Sequence, residues 1–377
     1  MKTFHCSACD ALVFFENSQC LQCGRTLAFA VDRMDMVTLR AAEDGSWQLV
    51  ETAPSQQIYR LCANYSDHAV CNWAVPVNQA DSLCRSCALT RTIPDLSIAG
   101  NREAWSKLEM AKRRLVYAVL SLELPMLSKA QDPERGLEFR FMNDSVSNNG
   151  DKSRVLTGHD NGLITINVAE ADDVHREMQR QRHQEPYRTL LGHFRHEIGH
   201  YYWDRLIQGS AELERFRGLF SDERADYQAA LKQHYADGPP ADWEQRFISA
   251  YASTHPWEDW AESWAHVMHM VDSLETAYAV GLAVQPARRD EPALAIPAKP
   301  PQARISAFDQ LISEWKSLTY VLNNLTRGLG LADAYPFVLC EPVIDKLRFV
   351  CHTMGLGKQR DERGPGSERT DAVKIAI

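Results

Sequence analysis

The sequence has no uninterrupted apolar run long enough to cross a bilayer, and its first residues, Met-Lys-Thr-Phe-His-Cys, lack the apolar core of a signal peptide. These absences argue against a membrane partner, and we expect a cytoplasmic protein. Positive charge is not in excess either, because the formal net charge is -9 at pH 7. A chain with this balance does not adhere broadly to polyanions, which argues against a nucleic-acid partner.

The composition is that of an ordinary globular protein. Of the 377 residues, 45% are hydrophobic and 24% charged, which leaves room for more than one domain. Ten cysteines are present, and eight of them precede residue 90. Because cytosolic reductants keep thiols reduced, we expect metal ligands or buried thiols rather than disulfides.

The first four cysteines form two short knuckles. They are Cys6-x-x-Cys9 and Cys20-x-x-Cys23, separated by a segment of hairpin size. Each knuckle can turn its thiolates toward a shared centre, and four sulfurs satisfy the tetrahedral preference of Zn²⁺. The spacing therefore predicts a structural zinc ribbon.

The next four cysteines are less regular. Cys62 and Cys71 precede a standard knuckle, Cys84-x-x-Cys87, and His68, which lies between the first two, could replace one of them as a ligand. We interpret the four thiols as a second structural zinc site, against the alternative of two buried thiols and an accidental C-x-x-C. With four protein ligands each, both sites are closed to substrate.

The most informative pattern is an H-E-x-x-H in the segment 190–200, at His196, Glu197 and His200. On a helix, positions i and i+4 lie on one face, so two imidazoles can hold one Zn²⁺ while Glu197 faces a bound water. The alternative is a surface helix that carries two histidines by accident. The motif predicts the core of a zinc peptidase, with one catalytic zinc besides the two structural ions.

A catalytic zinc usually has three protein ligands and leaves one position to water. The best downstream source of the third ligand is the segment 255–266, where Glu258 and Glu262 are spaced i, i+4. Both carboxylates can face the metal from a second helix. One can bind Zn²⁺, and the other can hydrogen-bond a ligand imidazole and set its tautomer.

Other residues could compete for the metal. Asp222, Glu223 and Asp226 are a rival source of a carboxylate, although a capped helix start with a solvated acidic face also explains them. His193 lies three residues before His196 and could be a ligand, but the usual ligand count favours a packed or hydrogen-bonded histidine.

The second carboxylate helix resembles that of the gluzincin metallopeptidases. Gluzincins of the lethal-factor type have a tyrosine seven residues before the ligand glutamate and a second glutamate four residues after it, as Tyr251, Glu258 and Glu262 are spaced here. The resemblance implies that Glu258 is the ligand and that Glu262 is the outer carboxylate, which hydrogen-bonds a metal ligand. It also implies that Tyr251 donates a hydrogen bond to the transition state.

Most of residues 1–355 is also similar to a bacterial family of zinc-binding metallopeptidases with an N-terminal zinc-ribbon domain. The segments that carry this likeness are Cys71-Asn-Trp, Cys84-Arg-Ser-Cys87, 193–203, 221–227 and 249–262. The resemblance implies a fold and a metal more than any particular substrate.

This constellation predicts hydrolysis of peptide bonds in a peptide or protein substrate. A zinc-bound water becomes acidic enough for Glu197 to accept its proton, and Tyr251 could stabilise the oxyanion. The competing hypothesis is a non-catalytic zinc-ribbon module that binds protein or nucleic acid and carries a vestigial metal site. An intact Glu197 beside a third carboxylate favours the peptidase, while docking of a protein partner on the ribbons stays open.

The predicted fold class is α+β. We expect a double zinc-ribbon module over residues 1–97 and a zincin-like, mostly helical metallopeptidase domain with a small β-sheet over 98–356. Five prolines predict a loop at 284–304, and the charged, glycine-containing tail at 357–377 is expected to be disordered.

Local patterns place the main elements. Helical periodicity predicts helices over 101–127 and 308–329, and alternation predicts strands over 136–142 and 162–168 with short strands in 33–51. The free edge of a strand before the metal helix could pair with an extended peptide, or the strand could be an ordinary core strand.

Four tryptophans could form a substrate pocket, although aromatic residues that flank buried helices more often pack in the core. They are Trp203, Trp257, Trp260 and Trp264. We expect His266 and His269 to be structural, and Cys340 and Cys351 to be buried thiols.

Overall fold

A computed structural model describes residues 1–50, 57–146, 152–183, 189–286, 296 and 307–356. The helices are α1 (Ala63–Ser66), α2 (Asn101–Ser121), α3 (Asp173–His183), α4 (Leu190–Leu206), α5 (Leu213–Phe220), α6 (Tyr227–Asp237), α7 (Pro256–Ala279), α8 (Phe308–Gly328) and α9 (Glu341–Thr353). The strands are β1 (Phe4–His5), β2 (Leu12–Val13), β3 (Thr26–Ala30), β4 (Asp35–Ala41), β5 (Trp47–Leu49), β6 (Ile58–Leu61), β7 (Trp73–Pro76), β8 (Thr90–Thr92), β9 (Glu138–Met142), β10 (Ser145–Val146), β11 (Lys152–Ser153), β12 (Gly158–Asp160) and β13 (Leu163–Asn167). The α+β class predicted from the sequence is confirmed.

The N-terminal region contains a closed five-stranded barrel, β3-β4-β5-β6-β7. The short strands predicted in 33–51 are β4 and β5. Closure depends on a parallel pairing that sets Phe29 against Trp73. Such non-local pairing leaves no trace in local periodicity, so the sequence predicted strands but not a barrel.

A four-stranded sheet with the order β12-β13-β9-β8 precedes the metal-binding helix. The predicted strands at 136–142 and 162–168 correspond to β9 and β13, which both lie inside this sheet and pair in parallel. Neither offers a free edge, whereas β12 lies at one. Strand β8 begins three residues after Cys87 and pairs with β9, so the second cysteine site leads directly into this sheet.

Helix α2 packs against the N-terminal region and against α4. Arg113 donates to the carbonyl of Val70 over 2.6 Å, and the ring of Tyr117 contacts Phe15 at a centroid distance of 5.5 Å. The helix ends at Ser121 rather than near residue 127, because Glu123 takes a left-handed φ of 55° ahead of Pro125.

Two predicted features fall largely outside the described residues. Of the proline-containing segment 284–304, the structure describes 284–286 and Ile296, and Val284 pairs with Ile296 in an isolated antiparallel bridge. The tail 357–377 lies outside the described residues. No helix in the described ranges has the length and hydropathy needed to cross a membrane.

A buried ion pair attaches α9 to α7. Lys346 Nζ lies 2.6 Å from Asp259 Oδ2, and the two side chains are 7% and 1% exposed. Replacing Lys346 with methionine would leave a buried carboxylate without its cation, so we expect the free energy of unfolding to fall by about 3–5 kcal/mol. Urea unfolding measures this change, with the exposed Lys316→Met on α8 as the matched control. Equal stability of the two variants would contradict the role of the pair.

Candidate metal centre

Two helices supply the side chains of the centre. Helix α4 is capped by Thr189, whose hydroxyl accepts from the N–H of Gly192, and it carries His196 and His200 on one face. Helix α7 starts with Pro256 after the capping residue His255, and its first turns carry Glu258 and Glu262. The same i, i+4 spacing on both helices turns four functional side chains toward one gap.

Gly199 allows α4 and α7 to approach closely. A Cβ atom on Gly199 would lie 3.0 Å from the Cα of Ala261 and 3.1 Å from the Cβ of Trp264. The indole of Trp260 donates to the carbonyl of Gly199 over 2.8 Å. The absence of a side chain at this position therefore sets the distance between the imidazoles of one helix and the carboxylates of the other.

The structure brings His196, His200 and Glu258 together, with potential ligand atoms within 4.8 Å of one another. His196 Nε2 lies 2.9 Å from Glu258 Oε2 and 3.2 Å from His200 Nε2. On its other side, His196 Nδ1 lies 2.8 Å from Glu262 Oε1 and donates to that carboxylate. Glu262 therefore sets the tautomer of His196.

This donor set fits a zinc ion. Because His196 Nδ1 donates to Glu262, its Nε2 presents a lone pair toward the carboxylate of Glu258 and the ring nitrogen of His200. Three acceptors that face each other in a buried place require a positive charge, either a second proton on His196 or a metal cation. Two imidazoles and one carboxylate are the donors that a three-residue Zn²⁺ site uses.

Glu262 is itself held in place. Its second oxygen, Oε2, accepts a hydrogen bond from the hydroxyl of Ser249 over 2.7 Å. Both carboxylate oxygens are thus engaged, one by Ser249 and one by His196. This fixes the orientation of the imidazole from outside the metal group.

Burial and charge shift the pKa values of the group in opposite directions. Burial opposes ionisation of Glu258, but the neighbouring His200 and His196 outweigh it and hold the pKa of this carboxyl well below its usual range. Burial also opposes protonation of His196, yet hydrogen bonds to Glu258 and Glu262 raise its pKa well above the usual value. For Glu197, burial raises the pKa of the carboxyl.

Glu197 lies beside the metal group and not within it. It is 7% exposed and lines a cleft of about 440 Å³ together with His196, Glu262 and Tyr251. Tyr251 lies in a short 3₁₀ turn, with its ring centroid 5.9 Å from that of His196. The cleft gives a second molecule access to Glu197 and to one side of the metal group.

Sequence reasoning missed Tyr227, the first residue of α6. Its hydroxyl donates to Glu258 Oε1 over 2.8 Å. The only sequence signal is its position at the end of the acidic segment 221–227, whose carboxylates are the more obvious candidate ligands. A lone tyrosine 31 residues before its partner has no spacing rule that would single it out.

The eight N-terminal cysteines form the two predicted Cys₄ groups. Cys6 Sγ lies 3.7 Å from Cys23 Sγ, and Cys9 Sγ lies 3.7 Å from Cys20 Sγ. In the second group, which comprises Cys62, Cys71, Cys84 and Cys87, the Sγ atoms of the middle two are 3.8 Å apart. These separations are those of thiolates around one tetrahedral ion, so both groups fit zinc.

Comparison with known proteins gives two matching family models. A family model described as "Putative zinc-binding metallo-peptidase" matches residues 101–353, and a zinc-ribbon domain model matches residues 3–98. The chain belongs to this zinc-binding metallopeptidase family. An uncharacterized protein from Mycobacterium bovis and one from Mycobacterium tuberculosis are each 46% identical to this chain over 356 residues, which cover 94% of this chain and 95% of each relative. No solved structure matches the chain.

The rival carboxylates, Asp222, Glu223 and Asp226, are engaged elsewhere. Asp222 pairs with Arg224 at 2.7 Å, and Glu223 pairs with Arg217 at 2.6 Å. Asp226 caps α6 by accepting from the N–H of Ala229, as its capping interpretation predicts. The three do not join the metal group.

The histidines considered as extra ligands also lie outside the metal groups. His193 Nδ1 is 3.3 Å from the carboxylate of Glu170, in the wall of the cleft. The ring of His68 contacts Trp105 at a centroid distance of 5.4 Å, while the second cysteine group has four sulfurs without it.

The remaining candidates lie in the packed interior or at its border. Trp260 and Trp264 are fully buried, and Trp257 and Trp203 contact each other at a centroid distance of 5.8 Å. His266 hydrogen-bonds Tyr335 and His269 contacts Trp315. Cys351 is buried as predicted. The prediction of a buried thiol is wrong for Cys340, which is half-buried because it precedes the first turn of α9. The described lining of the cleft includes none of these eight residues.

Substituting Gly199 with alanine tests the close approach of the two helices. The added methyl group meets backbone, so α4 and α7 must separate; we expect a loss of about 1–3 kcal/mol of stability together with weaker zinc binding at the centre. Gly218→Ala on α5 is the matched control, since a Cβ there meets nothing within 4 Å, and alanine should add up to about 1 kcal/mol. Denaturant unfolding and zinc titration measure both effects. A stabilised Gly199→Ala would show that the approach is not limiting.

Proposed function

We propose that this protein hydrolyses peptide bonds as a gluzincin-type zinc peptidase, with Glu197 as the general base. The observation that carries the proposal is the placement of Glu197, a buried carboxylate that lines the cleft directly beside His196 and is not a member of the metal group. A purely structural zinc site does not require a carboxylate at that position or an open cleft next to it.

In this proposal His196, His200 and Glu258 hold one Zn²⁺. When bound, the ion supplies Lewis-acid polarisation of the scissile carbonyl and lowers the pKa of a coordinated water. Two further carboxylates have different roles. Glu262 orients the imidazole of His196 through a hydrogen bond, and Glu197 exchanges protons.

Glu197 accepts a proton from the attacking water and returns it to the nitrogen of the leaving amine. Burial raises the pKa of this carboxyl. A higher pKa makes Glu197 a stronger base and brings it closer to the working pH, which is the condition for efficient general base catalysis.

Tyr251 donates a hydrogen bond to the oxyanion that develops on the substrate. Its ring lies near His196 and lines the same cleft as Glu197. Burial raises the pKa of Tyr251 well above its ordinary value, so the phenol keeps its proton and remains a donor.

The substrate is a peptide or a protein segment in extended form. Residues 154–157 line the cleft and lead into β12, the edge strand of the four-stranded sheet. An edge strand presents unpaired backbone groups, and an extended peptide can pair with them. The segment that leads into the edge strand and the metal group therefore border the same cleft.

The two cysteine groups hold structural zinc ions, which gives three ions per chain with the catalytic one. Each cysteine group offers four thiolates and no position for substrate. Segments this short gain stability from a bound metal that their small core cannot provide. A partner could dock on their outer surface.

Incubation of the zinc-loaded protein with a peptide library, followed by mass spectrometry of the products, tests the proposal. We expect cleavage that disappears after chelation of the catalytic zinc and returns on addition of Zn²⁺. Full zinc occupancy without any cleavage would contradict the proposal and favour a non-catalytic binding protein.

A further inference from the structure

Tyr227 hydrogen-bonds only one of the two carboxylate oxygens of Glu258. Its hydroxyl donates to Glu258 Oε1 over 2.8 Å. The other oxygen, Oε2, lies 2.9 Å from His196 Nε2 and 3.6 Å from His200 Nε2. The phenol thus occupies the oxygen that is turned away from the imidazoles.

From this arrangement we infer that Tyr227 is a positioning residue, which holds Glu258 so that only one carboxylate oxygen is directed toward the metal. The inference rests on the metal site of the proposed function. A carboxylate can bind a cation through one oxygen or through both, and a strong hydrogen bond to one oxygen favours binding through the other. A single bound oxygen leaves more of the coordination sphere to water and substrate.

His255 fixes the position of Tyr227 relative to helix α7. His255 accepts from the N–H of Trp257 through Nδ1, so its Nε2–H donates to the carbonyl of Ala225, over 3.1 Å in both cases. One ring therefore ties the chain just before Tyr227 to the start of the helix that carries Glu258. The rings of Tyr227 and His255 also meet edge to face at 5.2 Å.

Tyr227 and Tyr251 have separate tasks in this account. Tyr251 lines the cleft, where a substrate can reach it, whereas Tyr227 is absent from the described lining and has its hydroxyl on Glu258. Removing the hydroxyl of Tyr227 should change the metal site itself. Tyr251 also hydrogen-bonds the hydroxyl of Tyr227, so removal of its hydroxyl should change catalysis but is not a control for the metal site.

Tyr227→Phe tests the inference through the metal alone. We expect its catalytic-site affinity for Zn²⁺, measured by competition with a chelator, to fall about 10–100-fold, as on loss of other outer partners of metal ligands. The visible absorption of Co²⁺ at this site should change as well. The matched control is Tyr320→Phe, which removes an exposed hydroxyl on α8 and should retain both properties.

Retention of zinc at both cysteine groups and an unchanged melting temperature would show that Tyr227→Phe is folded. Wild-type zinc affinity and a wild-type Co²⁺ spectrum in the folded variant would overturn the inference. These readouts do not need peptidase activity. If Tyr227→Phe binds zinc more weakly but the wild type cleaves no peptide, only the proposed function is contradicted. If the wild type cleaves peptides and Tyr227→Phe binds zinc normally, only the role of Tyr227 is contradicted.

Discussion

Glu197→Gln should lower kcat/KM on a peptide substrate by about 10²–10⁴-fold, the usual contribution of a positioned general base. Glutamine has the shape of glutamate, so the packing of α4 around this nearly buried position should persist. The amide cannot accept a proton from water. Because Glu197 lies outside the group of potential metal ligands, the variant should keep the same zinc content as the wild type.

The measurement combines steady-state cleavage of one peptide with zinc analysis of the same samples. Glu103→Gln, an exposed substitution of the same kind on α2, controls for the change in net charge and for contaminating peptidases. Undiminished cleavage by Glu197→Gln would assign the base to another residue or the activity to a contaminant. A simultaneous loss of zinc would mean that Glu197 helps to bind the metal and is not simply the general base.

Glu258→Ala should abolish activity by removing the catalytic zinc while both cysteine groups keep theirs. The substitution leaves two imidazoles whose Nε2 atoms are 3.2 Å apart and no charged ligand between them. Loss of a direct ligand should weaken binding by more than the about 10–100-fold that loss of an outer partner costs. Zinc analysis after dialysis against a mild chelator should give about three ions per wild-type chain and about two per variant chain, from the groups that the structure contains.

Asp226→Ala is the control for this second prediction, because Asp226 belongs to the rival acidic segment. Its carboxylate caps α6, so we expect its loss to cost about 1 kcal/mol of stability. The zinc content should not change. If Glu258→Ala keeps the catalytic zinc and Asp226→Ala loses it, the third ligand lies in the acidic segment and not on α7.

The sequence predicted those parts of the site that depend on short spacings. His196 and His200 share a helical face, as do Glu258 and Glu262, because one helical turn sets both relations. The cysteine knuckles were equally local. The convergence of α4 on α7 was not derivable from spacing, since it depends on the contact of Gly199 with Ala261 across the helix pair.

The features that escaped prediction are those made by distant segments. Closure of the barrel needs the parallel pairing of Phe29 with Trp73, and β8 joins the four-stranded sheet although it precedes residue 97, where the sequence predicted a domain boundary. Tyr227 was overlooked for the same reason, because its contact with Glu258 is tertiary. Periodicity describes a single element and carries no record of the element that packs on it.

Crystals of the zinc-loaded protein, measured at the zinc absorption edge, would test the central claim most directly. The account predicts a strong anomalous peak between the Nε2 atoms of His196 and His200 and one oxygen of Glu258, besides a peak within each cysteine group. Peaks at the cysteine groups alone, with His196 and Glu258 in direct contact in the same crystals, would contradict it.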